Sequence, residues 1–362
     1  MNKKLFKLLL LALPVVACTT EEGDGEEVTA RAPYTLSVDK TTIESTGKDI
    51  ATFTLVDADG LVITDNASLM SKVYFINENT GRRLPKRTKT FKSVEDGDYV
   101  FSATFRGEAS ANKVTVKSEN RTTYEVFKKY VCLYRFTATW CNNCPSMTTG
   151  LNNVSDWTKS RLVELDFHGA GSAYAYSDGS NNVADYLYPK FGLQGYPSAI
   201  YDLAVPSDAR DYLEIEEVVF DRITDSPATC GIKAEVAYSN GTVSVKASVK
   251  TSTGGKYDIA YALLKNNCPG GAQPNFYESE YHNVVKGVSG NYEFMSTAAK
   301  QIAKDQEQQI LDLSFVHQIP ASDNQEDYSV VFFALKEVGN KIEIDNAVRL
   351  ALNTSVDYIY NN

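Results

Sequence analysis

The chain has 362 residues, with 36 Lys and Arg against 46 Asp and Glu and a formal net charge of −10. An acidic surface repels phosphate backbones and anionic headgroups, so nucleic acid is disfavoured as a partner. This length accommodates two or three domains, and the 22 Tyr suit extracellular β-sandwiches and contact surfaces for carbohydrate or protein.

Residues 1–7 carry Lys3, Lys4 and Lys7, and residues 8–16 are apolar. That run falls short of the about 20 residues a spanning helix needs, so residues 1–17 read as a secretory signal. Its end, Val15-Val16-Ala17-Cys18, resembles the lipobox of bacterial lipoproteins. The resemblance implies cleavage before Cys18 and acylation of its sulfur; an ordinary signal followed by an incidental cysteine is the alternative. Several acyl chains at about 0.8 kcal/mol per buried CH₂ make a lasting membrane anchor. Loss of the leader leaves 33 basic against 46 acidic residues. Residues 18–31, with Glu21, Glu22, Asp24, Glu26 and Glu27 among glycines, read as an acidic, solvated tether. The run resembles acidic signals that send some Gram-negative lipoproteins to the cell surface. The implied location is the outer membrane, lipid-anchored, on its periplasmic face or at the cell surface.

Residues 32–118 place apolar groups at every second position in five short runs, separated by turns at Asp59-Gly60, Thr80-Gly81 and Asp96-Gly97. This pattern predicts an immunoglobulin-like β-sandwich. The cluster Arg82, Arg83, Lys86, Arg87 reads as a solvated loop or hairpin edge that blunts edge pairing, with a partner-binding patch as the sharper alternative.

Residues 119–227 alternate strand and helix signals, which predicts an α/β unit. The apolar run 130–136 reads as a covered strand. It ends at Trp140-Cys141-Asn142-Asn143-Cys144-Pro145, and Met147, Leu151, Val154 and Trp157 then follow with the spacing of one helical face. A helix start favours thiolate over thiol, so Cys141 is the expected nucleophile and Cys144, one turn on, the resolving thiol. Residues 162–167 read as the next parallel strand, 182–191 as a helix, and 211–224 as a closing helix. His168, after that parallel strand, reads as a surface histidine, with a place near the thiols as the alternative.

The Trp140 to Pro145 turn resembles the active site of the thioredoxin superfamily. Gly195-Tyr196-Pro197-Ser198 resembles that superfamily's cis-proline loop, which implies that Pro197 faces the sulfurs and orients a peptide added as a strand. Residues 169–182 are the natural place for an insertion. One departure stands out: thioredoxins carry a buried carboxylate where this chain has Arg135, so base help for the resolving thiol is absent or comes from elsewhere. Asn142 and Asn143 add no cationic support to the thiolate. Three readings compete: redox exchange, a disulfide that only staples the helix start, and a metal site. The last lacks the second cysteine pair that four-ligand zinc sites often use. No cofactor motif is present.

Residues 228–362 return to alternation, with a hairpin turn at Asn240-Gly241, and predict a second β-sandwich interrupted by a polar, aromatic insert over 266–309. The order of leader, CxxC unit and β-domain with Tyr281-His282-Asn283 resembles the outer membrane protein 28-related lipoproteins, over about the last two-thirds of the chain. Of the remaining cysteines, Cys230 and Cys268 lie at opposite strand ends in a simple meander, too far apart for a disulfide. Cys132 is expected as a buried free thiol. Two functions follow: exchange with a protein thiol or disulfide through Cys141 and Cys144, or a non-enzymatic lipoprotein that binds a surface protein or glycan on a thioredoxin scaffold.

Overall fold

The computed structural model describes residues 29–121, 126–179, 181–271 and 277–361. The signal peptide, the Cys18 lipidation site and most of the tether lie outside the described residues. Strands account for 46% of the chain and helices for 15%, in several sheets: the fold is β-rich and multi-domain.

The N-terminal unit contains β1 (Thr35–Val38), β2 (Thr42–Glu44), β3 (Ala51–Val56), β4 (Val73–Asn77), β5 (Gly97–Phe105) and β6 (Val114–Glu119). β1 and β3 belong to a three-stranded sheet; the order β2-β6-β5-β4 forms the spine of a six-stranded one. Strict in-out alternation along β3 turns Ala51, Phe53 and Leu55 inward. The Phe53 ring lies 5.0 Å from that of Phe75 and 4.8 Å from that of Phe101, locking the two sheets together. Truncating such a buried aromatic costs about 3–5 kcal/mol.

The middle unit is built on β7 (Val131–Thr137), whose seven positions are all buried. A strand covered on both faces needs helices on the sheet, and the sequence supplies α1 (Cys144–Asn153), α2 (Asp156–Lys159), α3 (Val183–Leu187) and α4 (Tyr212–Asp225). β8 (Leu162–His168) runs parallel to β7, β9 (Ser198–Tyr201) antiparallel on its other side, and β10 (Val205–Ser207) follows β9. Asp211 caps α4 by accepting from Leu213 N at 2.9 Å, and α4 turns Ile215, Val219 and Ile223 inward. α1 reaches the chain leading into α4 because position 150 is glycine: a Cβ there would lie 2.2 Å from the Arg210 carbonyl oxygen.

The C-terminal unit comprises β11 (Cys230–Ser239), β12 (Thr242–Thr251), β13 (Gly255–Lys265), β14 (Val284–Val288), β15 (Glu307–Gln318), β16 (Tyr328–Val338), β17 (Lys341–Ala351) and β18 (Thr354–Val356). One layer has the order β15-β12-β11-β18; the other runs β14-β13-β16-β17. That second layer does not end at β14. β14 lies parallel to β8, with Val284 opposite Asp166, so a single sheet of order β10-β9-β7-β8-β14-β13-β16-β17 crosses the sequence division at 227/228. The core is continuous too: the Tyr134 ring sits 4.9 Å from Phe167 and 5.8 Å from Phe333. The strand that completes the join comes from the 266–309 insert.

Buried charge reinforces this seam. Lys129, 1% exposed, pairs with Asp202 at 3.0 Å and donates to the carbonyls of Ile344 (3.1 Å) and Asp345 (2.7 Å). Arg222 bridges Asp202 (3.0 Å) and Glu343 (2.9 Å). The N-terminal unit docks differently. Arg82 and Arg83 do pair with β4 as a hairpin edge, but Arg82 is not solvated: its Nη2 donates to Glu216 O at 2.8 Å, and its guanidinium lies 4.8 Å over Trp157 and 5.0 Å over Phe220. A stacked guanidinium covers apolar surface while keeping its charge, a role that local charge patterning does not reveal.

Candidate functional site

β7 delivers the chain to Thr137, and the turn that follows holds both cysteines. Cys141 N donates to Ala138 O (3.1 Å) and Cys144 N to Cys141 O (3.2 Å), so α1 starts at Cys144 with Asn143 as its cap residue. Cys141 and Cys144 form a disulfide with Cα atoms 5.4 Å apart. Cys144 is fully buried while Cys141 keeps 5% of its surface. Access from solvent therefore favours Cys141 as the sulfur that meets an incoming thiolate.

The Tyr196–Pro197 bond is cis, and Tyr196 packs against the cluster formed by Ala138, Cys141 and Cys144. Trp140, 39% exposed, meets the Tyr196 ring edge-on at 5.6 Å and anchors its indole N–H on Ala170 O at 3.0 Å. Tyr196 OH donates to Asp185, whose other oxygen accepts from Ala170 N at 3.0 Å. Burial first, then Asp185, pushes the Tyr196 phenol far up, so it stays a neutral donor. A cleft of about 400 Å³ lies along the proline loop, lined by Gly195, Tyr196, Pro197, Ser198, Ser207 and Arg210 among others.

His168 is not at the surface. It is 1% exposed, its Nδ1 hydrogen-bonds Ser172 Oγ at 2.9 Å, and that hydroxyl accepts from Thr139 N at 3.1 Å, two residues before Cys141. The Tyr174 and Tyr281 rings stand edge-on at 5.7 and 5.5 Å. Burial drives its pKa down to about 3, so the imidazole is neutral. It is enclosed because Tyr281, from the C-terminal insert, closes over the end of β8, a contact invisible in the local pattern.

Arg135 explains the departure noted from the sequence. It is 4% exposed and its Nη1 pairs with Glu164 (3.2 Å) and Asp166 (3.1 Å), both from β8. The parallel register sets Arg135 opposite Asp166. Its Nη2 donates to Thr148 of α1 and lies 3.5 Å from Glu278. Burial first, with Glu164 and Glu278 adding to it, holds the Asp166 carboxyl well above the usual carboxylate range, against the pull of Arg135. Buried carboxyls thus stand below α1, supplied by the neighbouring strand. The signal was present: Glu164 and Asp166 interrupt an otherwise apolar strand two residues apart, as Arg135 interrupts its own, and residues two apart share a face.

Cys132, Cys230 and Cys268 are buried and free. Burial raises all three thiols, so they remain protonated and inert.

No protein-family model matches the chain, and no curated protein matches its sequence. Among solved structures the chain is similar to HBP35 of Porphyromonas gingivalis, at 18% identity and a TM-score of 0.48, over 64% of this chain and 77% of that one. It is also similar to protein AGR_C_4864 from Agrobacterium tumefaciens, at 14% identity and a TM-score of 0.41, over 64% of this chain and 99% of that one.

Proposed function

We propose that this chain is a lipid-anchored thiol–disulfide exchange protein of the outer membrane or cell surface. In this reading a thioredoxin-like unit carries the Cys141 and Cys144 pair between two immunoglobulin-like β-sandwiches. The observation that carries it is the Cys141–Cys144 disulfide at the start of α1, with the Tyr196 loop packed on it. The order strand, CxxC, helix, parallel strand, then antiparallel strand after Pro197 supports the thioredoxin-like assignment. The lipobox at Cys18 and the resemblance to outer membrane protein 28-related lipoproteins support the anchor and the location.

The chemistry is a two-step exchange. A thiolate of a protein dithiol attacks Sγ of Cys141; the Cys141–Cys144 bond breaks, and Cys144 leaves as a thiolate that takes up a proton. The substrate's second thiolate then attacks its own sulfur in the mixed disulfide, releasing Cys141. Two electrons and two protons pass to the cysteine pair and the substrate leaves as a disulfide; the reverse sequence reduces a substrate disulfide.

A second reading, a binding lipoprotein on an inert scaffold, is favoured by one feature. Exposed Tyr186 (41%) and Phe294 (50%) flank a depression of about 250 Å³ with Asn181 and Glu293, a mix of aromatic and polar groups that suits a glycan. The two readings separate in one assay. The soluble chain from residue 29 should catalyse reduction of insulin by dithiothreitol, and Cys141→Ser should abolish that catalysis, a loss of at least 100-fold. Equal rates for the wild type and the variant would leave the scaffold reading.

A further inference from the structure

On the flank of α1 that carries Pro145, Thr148 and Thr149, a cleft of about 370 Å³ opens. Its charged lining is lopsided: Glu164, Asp166, Glu278 and Glu280 face a single guanidinium, Arg135. Glu280 also meets His282 at 3.3 Å, at the half-exposed rim. A second guanidinium, Arg349, stands one step back; it donates to Asn283 (2.5 Å), which donates in turn to Glu164 (3.1 Å).

Asp166 is 3% exposed. One of its oxygens takes the Arg135 bond; the other, Oδ1, accepts no hydrogen bond among the described residues. An unpartnered buried carboxyl oxygen costs about 1–3 kcal/mol or more, and burial first, then the acidic neighbours Glu164 and Glu278, hold this carboxyl above its usual range. Arg135 turns its two terminal nitrogens to Glu164, Asp166, Glu278 and Thr148, while its Nε has no partner among the described residues, so the guanidinium as oriented does not reach Asp166 Oδ1. A second cationic donor entering from the cleft would reach that oxygen. Among the described residues no three acidic, His or Cys side chains converge as they would on a metal ion. The spread suits a planar guanidinium or an ammonium on a flexible stem, which distributes several N–H groups over separated oxygens.

We propose that this cleft is the subsite for a basic side chain, Arg or Lys, of the peptide whose sulfur is exchanged at Cys141, so that the substrates are cationic, cysteine-containing polypeptides. The proposal rests on the exchange reading above and names its substrate class. Pro145, which lines the cleft, immediately follows Cys144, so the cleft begins one residue along the chain from the cysteine pair. The acidic rim also repels anionic thiols, which supplies discrimination as well as affinity.

Two measurements test it. In the first, the oxidised protein is titrated calorimetrically with Nα-acetylarginine amide and with its uncharged isostere Nα-acetylcitrulline amide. The arginine probe should bind at least 10-fold more tightly, and Glu278→Gln should remove that preference. Equal affinity for the two probes, or no binding of either, overturns the proposal. The wild-type comparison stands even where a variant fails to fold. In the second, the reduced protein is oxidised by cystamine, by hydroxyethyl disulfide and by dithiodiglycolate, which are cationic, neutral and anionic. The expected rate order is cationic, neutral, anionic, with a cationic-to-anionic ratio of at least 10 that falls toward one in Glu278→Gln; a ratio near one in the wild type overturns the proposal. Failure to react with all three disulfides while the arginine probe still binds would refute the exchange reading and leave the cleft as a cation site.

Discussion

The two β-units attach to the cysteine-bearing unit by different physical means. The N-terminal one docks through side chains: Arg82 on Trp157, Phe220 and Glu216, Glu95 with Arg161 and the Trp157 indole, and Lys92 with Asp225. A small apolar cleft of about 170 Å³ remains in the joint, lined by Phe91, Val94, Trp157 and Phe220 among others. The C-terminal one is fused by backbone: one sheet runs through both units, and buried Lys129, Asp202 and Arg222 tie β17 to the end of β9. A docked joint can open without unfolding either side. A fused one cannot, because separating β8 from β14 would expose strand edges and an apolar core at once. The lesson concerns the site: Glu278 and Tyr281 reach the cysteine turn from the fused partner, so the polar floor beneath α1 and the wall over His168 belong to both units.

Substitutions that attack each joint separately break or sharpen this contrast. The largest effect is expected from Asp202→Ala, which leaves Lys129 and Arg222 facing each other without their shared carboxylate; breaking a buried ion pair costs about 3–5 kcal/mol. Urea unfolding should shift as one transition that includes both the middle and C-terminal units, and a biphasic melt would show that the shared sheet does not couple them. Arg82→Ala should cost less, about 1–2 kcal/mol, the worth of its stacking and one hydrogen bond. It should loosen the N-terminal unit alone, seen as faster amide hydrogen exchange over residues 82 to 95 with the Cys141 exchange rate unchanged. A uniform loss of stability over the whole chain would mean that this joint too is fused.

The smallest effect concerns acid. His168 is held neutral by burial with a pKa of about 3, against an ordinary 6.5, so the unfolded chain takes up a proton that the folded chain refuses. Stability from this group is intact above about pH 6.5 and lost as pH falls from there toward 3. Between pH 7 and pH 6 it amounts to roughly 0.7 kcal/mol. His168→Gln should flatten that part of the stability-pH curve, and an identical slope in both proteins would show that the imidazole already carries its proton when folded.

Much of this molecule is legible residue by residue. Alternation in 50–56 and 97–105 foretold strands that appear as Ala51–Val56 and Gly97–Phe105, because one wet and one dry face impose period two. Asn240-Gly241 turns Cys230–Ser239 back on Thr242–Thr251 as expected. β2, only three residues long, pairs in parallel with β6 and carries too short a pattern to be seen. His168 and Arg82 read as surface residues since the groups that bury them lie far along the chain. The cysteine turn was legible because its chemistry is local, and Glu164 and Asp166 left a trace in their strand, but Glu278 did not: Thr148 meets it across a sequence separation of 130.

By itself the sequence determined the elements, the cysteine pair at a strand-to-helix turn and the residue types available to it, since backbone periodicity and turn chemistry are short-range. Only the tertiary structure decided that β14 would lie beside β8, that Arg135 would be answered by Asp166 and Glu164, and that a C-terminal insert would close over His168. Those outcomes depend on which strand edges meet, and edge pairing is settled by the summed burial of the whole sheet rather than by any neighbouring residues.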